Sequence, residues 1–319
     1  MTVFHPPLRP TPPASHPAVA PGAITSPAGR AVTPLALGFP LSADETTARV
    51  RVALQEDEAF NDVSTIATVL STRHVRGAIV ARRAGVIAGI PLAIEAFRLL
   101  DPAITVRVDA EDGTHVKAGD PVLALTGHAR GMLSAERTAL NFLQRLSGIA
   151  TLTSCFVDAI KGSRAQILDT RKTTPGWRTL EKYAVRAGGG TNHRLDLRSG
   201  VLIKDNHLAA LGGDIAMAVA RAREIAVPGT PIQVECDTIA QVEAAVAAGA
   251  DWVLLDNMSL DQLRDAVARC AGRVVTEASG GVTLDTVRAI AETGVDRISV
   301  GALTHSAPAL DLGLDFDGL

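Results

Sequence analysis

Beyond residue 152 the chain alternates short apolar runs with amphipathic stretches. Runs of strand length fall at 166–169, 201–204, 232–236, 252–256, 274–277 and 297–300. Segments with helical spacing, 239–248, 260–270 and 284–292, separate the later runs. The last four strands begin at 232, 252, 274 and 297. So regular a strand–helix alternation predicts parallel strands, in a barrel or a doubly wound sheet.

The first half reads differently. Ser42 or Asp44 can cap a helix running through Val50 and Leu54 to about residue 58. Short β-prone runs follow at 77–81, 85–88, 104–108 and 122–126, the last two separated by glycine turns at Gly113 and Gly119. This pattern predicts a hairpin-rich sheet. The turn stretch is similar to those of biotinyl or lipoyl carrier domains. Lys117 lacks flanking methionines, however, and ordinary sheet turns are the better reading. A mostly helical stretch spans 133–152, with Leu133, Leu140, Leu143 and Leu146 forming an apolar stripe. Arg137 falls on or beside that stripe. Its charge needs a carboxylate, a ligand or another subunit, or else snorkels to the rim; spacing does not separate these.

Composition narrows the class. With 319 residues, 47% apolar and 20% charged, a folded core of one or two domains is expected. A net charge of -3 argues against a global nucleic-acid or anionic-membrane footprint, so any anion site must be local. No stretch is long and apolar enough to span a membrane. Residues 1–38 are rich in proline and alanine, lack a basic cluster at the start, and read as a flexible tail rather than a secretory signal. Cys155, Cys236 and Cys270 form no CxxC pattern, so each is expected to be a small buried apolar residue in a reducing cytoplasm. Lysine is scarce: only Lys117, Lys161, Lys172, Lys182 and Lys204 occur, among many arginines. Lysines that persist against such a bias include candidates for work that a planar guanidinium does poorly.

Candidate chemistry gathers where the later strands end. Six ends carry polar residues or glycine: Asp169-Thr170-Arg171-Lys172, Lys204-Asp205-Asn206-His207, Glu235, Asp256-Asn257, Glu277-Ala278-Ser279-Gly280-Gly281 and Gly301. In α/β barrels such ends converge on one mouth. Arg171, Lys172, His193, Arg194 and Lys204 would crowd there and repel one another unless a polyanion filled the cleft. Backbone N–H groups of Ser279-Gly280-Gly281 suit a phosphate, and Gly301 permits close backbone approach. Glu235 and Asp256 can recruit Mg²⁺ or stabilise positive charge developing on a sugar ring. These jobs suit transfer of a phosphorylated sugar from a diphosphate leaving group.

The runs TRKTTPGWR (170–178), EKYAV (181–185), GGGTNHR (188–194), LIKDNH (202–207), VECDT (234–238), LLDNM (254–258), EASGG (277–281) and GVDRISVGALTH (294–305) resemble quinolinate phosphoribosyltransferase, a type II phosphoribosyltransferase. The resemblance implies an open α/β barrel with an N-terminal α/β sandwich domain. It places the sandwich at 39–148, the barrel at 149–305, and a segment 306–319 packing back on the first domain. It implies joining of quinolinate to phosphoribosyl diphosphate, giving nicotinate mononucleotide, diphosphate and CO₂, in a homodimer that shares its active sites, with room for higher assembly. It assigns Arg171, His193, Arg194 and Lys204 to quinolinate, with Arg137 reaching in from the partner subunit. Lys172, Glu235, Asp256, Ser279, Gly280, Gly281, Gly301 and His305 would line the phosphoribosyl diphosphate side. Mg²⁺ would lie near Glu235 and Asp256, which with Lys172 are the candidate catalytic residues. No organic cofactor is required.

The chain departs from the family pattern at Asn61-Asp62, where Gly-Asp is expected; asparagine also tolerates a left-handed backbone. His207 reads as closing a strand–helix turn, Asp205 as a possible helix cap, and Lys182 as a solvated surface charge outside the site. Two other functions fit fewer of these features. A relative from molybdenum operons would share the motifs with another aromatic acceptor, although the cation cluster suits two carboxylates. A silent sensor of either ligand would gain nothing from Glu235 and Asp256 unless it held a metal.

Overall fold

The computed structural model describes residues 37–317. The stretch expected to be a flexible tail lies outside them except for Leu37 and Gly38. The described chain opens with α1 (Ala43–Glu56), and its start is written in the sequence. The Ser42 side chain accepts from the Glu45 amide while Glu45 reaches back to the Ser42 amide, a reciprocal capping box. Val50 and Leu54 are its buried apolar contacts. A 3₁₀ turn (Ala59–Asn61) leads into α2 (Val63–Thr68). The left-handed residue here is Glu58 (φ 49°), not Asn61, whose amide instead donates to the Glu58 carboxylate at 3.0 Å. Departure from the family pattern therefore requires no unusual backbone at Asn61.

The N-terminal layer is an antiparallel sheet ordered β12-β1-β5-β3: β1 (His74–Ala81), β3 (Thr105–Val108), β5 (Pro121–His128) and β12 (Leu312–Phe316). Along β1, Gly77, Ile79 and Ala81 are buried and alternate with more accessible residues, the pattern of a sheet covered on one face. Helix α3 (Ile90–Leu100), packed against α1 and α4, buries Leu92, Ala93, Ala96 and Phe97. The glycine turns do more than join a hairpin. Between β3 and β5 the chain forms β4 (His115–Val116), which pairs with β2 (Gly85–Val86) as a separate ribbon. The last strand, β12, pairs antiparallel with β1, so the chain's end completes the first sheet.

Helix α4 (Ala129–Ala159) is longer than its leucine spacing predicts. Its buried positions include Met132, Leu140, Leu143, Leu146, Ile149 and Phe156, and it packs against α3 on one side and α5 (Arg178–Ala187) on the other. Covered along most of its length, it functions as a spine between layers.

The second layer is the open barrel. Six parallel strands run in the order β6-β11-β10-β9-β8-β7: β6 (Gln166–Leu168), β7 (Val201–Ile203), β8 (Ile232–Cys236), β9 (Trp252–Asp256), β10 (Val275–Ser279) and β11 (Arg297–Ser299). Helices α6 (Asp205–Ala210), α7 (Ile215–Ile225), α8 (Ile239–Ala247), α9 (Leu260–Cys270), α10 (Leu284–Ala291) and α11 (Ala302–His305) follow the strands. Boxes Thr238/Gln241 and Ser259/Gln262 start α8 and α9, matching the boundaries read from periodicity. Lys204, not Asp205, occupies the N-cap position of α6, while His207 Nδ1 accepts from the Lys204 amide and closes the turn. Cys236 and Cys270 are buried as expected, but Cys155 is exposed.

Asp62 gives a direct test of capping. Its carboxylate accepts from the Thr65 amide at 3.0 Å and from Ser134 Oγ of α4 at 3.0 Å. Hydrogen bonds from Thr65 hold its pKa below the usual aspartate value. Asp62→Ala is expected to cost about 1 kcal/mol in denaturant unfolding. With the folded-state pKa lowered, this contribution is full above about pH 4 and is lost as pH falls through the lowered value. Wild type and variant therefore converge in acid.

Candidate active site

The barrel's inward face follows from parallel register. Glu235 sits level with Leu254, Leu254 with Glu277, and Ser279 with Asp256. Neighbours at one level point the same way, and residues two apart share a face. Hence Glu235, Leu254, Asp256, Glu277, Ser279 and Ser299 line one cavity, while Val234, Val253, Leu255, Ala278 and Ile298 belong to the buried apolar core. The cavity, about 390 Å³, also takes Thr170, Arg171, Lys172, His193, Arg194, Leu202 and Lys204. That volume suits a small polar ligand.

Eight of the predicted residues therefore meet in one hollow: Arg171, Lys172, His193, Arg194, Lys204, Glu235, Asp256 and Ser279. Gly301 and His305 lie against it, since a Cβ on Gly301 would come within 3.1 Å of Lys172 Cδ and 3.2 Å of His305 Nε2. Gly280 and Gly281 continue the turn after Ser279, both with positive φ. Arg137 does not join the cleft within this chain; it lies exposed on α4.

Charge is arranged within the hollow. Lys204 pairs with Glu235. Asn257, in the left-handed region at φ 53°, donates its amide to Asp256 Oδ2 at 2.6 Å. Burial first, and Arg171 second, push the Arg194 guanidinium below its ordinary pKa. Arg171 Nε is buried without a hydrogen-bond partner. Arg171 is thus poised for an acceptor that the protein itself does not provide, while Arg194 donates one Nη1 hydrogen bond to the Gly200 carbonyl at 2.9 Å.

Below the mouth lies a buried network that sequence reasoning missed. His193 Nδ1 accepts from the Arg194 amide at 2.7 Å, which leaves Nε2 as the N–H. Nε2 faces Gln233 Oε1 at 3.1 Å and Glu277 Oε2 at 3.4 Å. Gln233 in turn donates to Glu277 at 3.0 Å. Burial raises the Glu277 pKa, but hydrogen bonds from His193, Gln233 and Ser299 outweigh it and hold the carboxyl below its usual range. Period-two alternation through Glu235 and Ser279 points to Gln233 and Glu277; that was the available signal.

Lys182 requires a larger correction. It is not a solvated charge: its side chain is 3% exposed and paired with Asp169, itself fully buried. One residue earlier on α5, Glu181 is also buried. It pairs with Arg145 at 2.7 Å and accepts from the Thr174 amide and hydroxyl at 3.0 and 2.8 Å. The loop after β6 is therefore anchored from beneath. A further brace crosses from the N-terminal layer, where Tyr183 donates to Asp112 Oδ2 at 2.6 Å.

Against known proteins, residues 62–147 match the quinolinate phosphoribosyl transferase N-terminal domain model and residues 149–315 the C-terminal domain model. The chain belongs to the quinolinate phosphoribosyltransferase family. The nicotinate-nucleotide pyrophosphorylase [carboxylating] of Mycobacterium leprae is 46% identical over 274 residues, covering 83% of this chain and 95% of that protein. A probable nicotinate-nucleotide pyrophosphorylase [carboxylating] of Bacillus subtilis is 44% identical over 260 residues, covering 82% and 89%. Among solved structures, the nicotinate-nucleotide pyrophosphorylase of Francisella tularensis superposes with a TM-score of 0.82 at 38% identity, covering 88% of this chain and 99% of that one. These likenesses establish the open barrel with its N-terminal sandwich as the family architecture.

Gly280 tests the turn. A Cβ there would lie 2.1 Å from Asn257 Oδ1 and 2.9 Å from the Asn257 amide nitrogen, at φ +92°. Gly280→Ala is expected to lose about 1–3 kcal/mol to backbone strain. Because Asn257 holds Asp256, phosphoribosyl diphosphate affinity should fall more than quinolinate affinity, read by thermal melts and calorimetry.

Proposed function

We propose that this chain transfers the phosphoribosyl group of phosphoribosyl diphosphate to quinolinate, with decarboxylation, to give nicotinate mononucleotide, diphosphate and CO₂. The observation that carries this reading is the meeting, in one hollow, of two arginines, one with a buried unpartnered Nε, and two carboxylates on adjacent strands. Quinolinate is a dianion whose two carboxylates suit two guanidinium forks. Arg171 and Arg194 take those groups, and Lys204, on the same cavity, pairs with Glu235. The named relatives are called nicotinate-nucleotide pyrophosphorylases, which supports the reaction.

Once bound, the ring nitrogen attacks the anomeric carbon as its bond to diphosphate breaks, the electron pair leaving with diphosphate. Glu235 and Asp256 face the positive charge that develops on the sugar; one preorganised group of this kind is worth roughly 3 kcal/mol of barrier. Lys172 and the Ser279–Gly281 turn hold the leaving phosphates. The carboxylate next to the pyridinium nitrogen then departs as CO₂, leaving its bonding pair on the adjacent ring carbon, where the positive nitrogen stabilises it until a proton takes it up. No side chain serves as nucleophile.

Mg²⁺ fits this cleft under a condition. Among the described residues, no group of three or more His, Cys, Asp or Glu could hold a metal. Glu235 and Asp256 therefore suit an ion whose remaining ligands are diphosphate oxygens and water. When bound, it would neutralise charge on the leaving diphosphate.

A homodimer completes the reading. Arg137 is exposed outside its own chain's cleft, and Phe60, Val63, Ile66 and Leu70 form an exposed apolar group on the same N-terminal layer. Such a group is suited to cover by another copy, which would bring Arg137 to the partner's quinolinate. The free cysteines agree with a reducing cytoplasm. Among described residues, no helix is long and apolar enough to cross a membrane.

The deciding assay supplies purified protein with quinolinate, phosphoribosyl diphosphate and Mg²⁺ and follows CO₂ and nucleotide. Formation of both in equal amounts is expected. Arg194→Ala should weaken quinolinate binding at least tenfold while sparing phosphoribosyl diphosphate, and equal loss of both ligands would overturn the division of the cleft. Arg137→Ala and Lys172→Ala proteins, each inactive alone, should regain partial activity once mixed. No recovery after verified subunit exchange would remove Arg137 from the shared site.

A further inference from the structure

β6 borders the barrel's gap: β11 pairs with it on one side, but β7 is not its neighbour. Residue 191 alone continues the ladder, in a single parallel bridge between Leu168 and Thr191. Beyond that bridge, main-chain pairing gives out and side chains replace it. Asp169 Oδ1 accepts from the His193 amide at 2.9 Å, and Lys182 Nζ donates to the His193 carbonyl at 3.1 Å. Asn192 Nδ2 donates to Asp169 Oδ2 at 2.6 Å and to the Lys182 carbonyl at 2.8 Å. Lys182 and Asp169 close the set by pairing with each other.

Both anion-facing arginines depend on this pair. Arg171 follows Asp169 by two residues, and Arg194 follows His193 by one. We propose that the buried Asp169–Lys182 pair is a positioning device for the quinolinate half of the cleft: it fixes the spacing of Arg171 and Arg194 by holding the 192–193 backbone where the sheet has no strand to do so. Lysine suits this post because one compact ammonium reaches both a carboxylate and a main-chain carbonyl. Neither residue touches the substrate. The inference rests on assigning quinolinate to the arginine half, and it names what sets that half's geometry.

The test separates positioning from stability. Lys182→Met alone strands a buried carboxylate and should melt lower. Asp169→Leu with Lys182→Met removes both charges, and neutral replacement of a buried pair often restores stability. The double variant is expected to recover most of the melting temperature and to bind phosphoribosyl diphosphate within about twofold of wild type. Its kcat/KM for quinolinate should stay down by between about tenfold and a hundredfold, the scale on which ~1 Å of misplacement acts. Asp169→Asn, nearly isosteric, gives a second reading. It still offers an oxygen to the His193 amide but sets an NH₂ against another donor, so it too should lose quinolinate affinity selectively. Wild-type quinolinate kinetics in the double variant, or an equal fall in affinity for both ligands in Asp169→Asn, overturns the proposal. Failure of the wild type itself to bind quinolinate would instead overturn the assignment of the cleft.

Discussion

Two arginine side chains that push against each other must be held at a fixed separation, and the rest of the cleft is organised around that constraint. Free chains would relieve the repulsion by moving apart. Arg171 and Arg194 lack that freedom because their backbones hang from a buried ion pair, and burial denies their charges full solvation. The strain is local, while the restraint is distributed through α5 to α4 and, by way of Tyr183 and Asp112, to the N-terminal layer. An anion with two suitably spaced negative groups removes the conflict on arrival, so the energy held against repulsion becomes selectivity for a dianion.

Parallel register supplies the other half. Once β8, β9 and β10 align Glu235, Leu254 and Glu277 at one level, the next inward positions, Asp256 and Ser279, rise together toward the mouth. The same alternation sends Val234, Val253 and Ala278 into the apolar core. Core and chemistry are thus two faces of the same strands. A one-residue slip would exchange them, which is why the apolar face also guards the register of the site.

Much of this was legible in the chain. Strand–helix alternation gave the barrel, and polar strand ends gave its mouth, because both reflect local periodicity. The cap at Ser42 marked a helix start for the same reason. The misreadings concern residues whose role depends on distant neighbours. Lys182 belongs to an ordinary-looking amphipathic helix, and its burial follows from the gap beside β6, not from spacing. Arg137 stands exposed on α4, outside the cleft of its own chain. Gln233 and Glu277 lie two residues before Glu235 and Ser279 on the same face; Glu277 stood among the polar strand ends, whereas Gln233 lies one step deeper, inside an apolar run.

That deeper layer changes how the cleft's charge should be understood. Arg171, Lys172, Arg194 and Lys204 face Glu235, Asp256 and Glu277 around one cavity, so the lining carries only a small positive excess. Lys204 and Glu235 already neutralise each other, and Glu277 is met by His193 and Gln233. Among the described residues, the arginine pair on one side and Lys172 on the other form no ion pair, while Asp256 and Glu277 are held by neutral partners. Binding specificity therefore does not come from total charge, which any polyanion would satisfy. It comes from where the unpaired cations stand: Arg171 and Arg194 together, and Lys172 beside Gly301. A ligand mixture that neutralises one side alone leaves the other unmatched, which favours joint occupancy of the two halves.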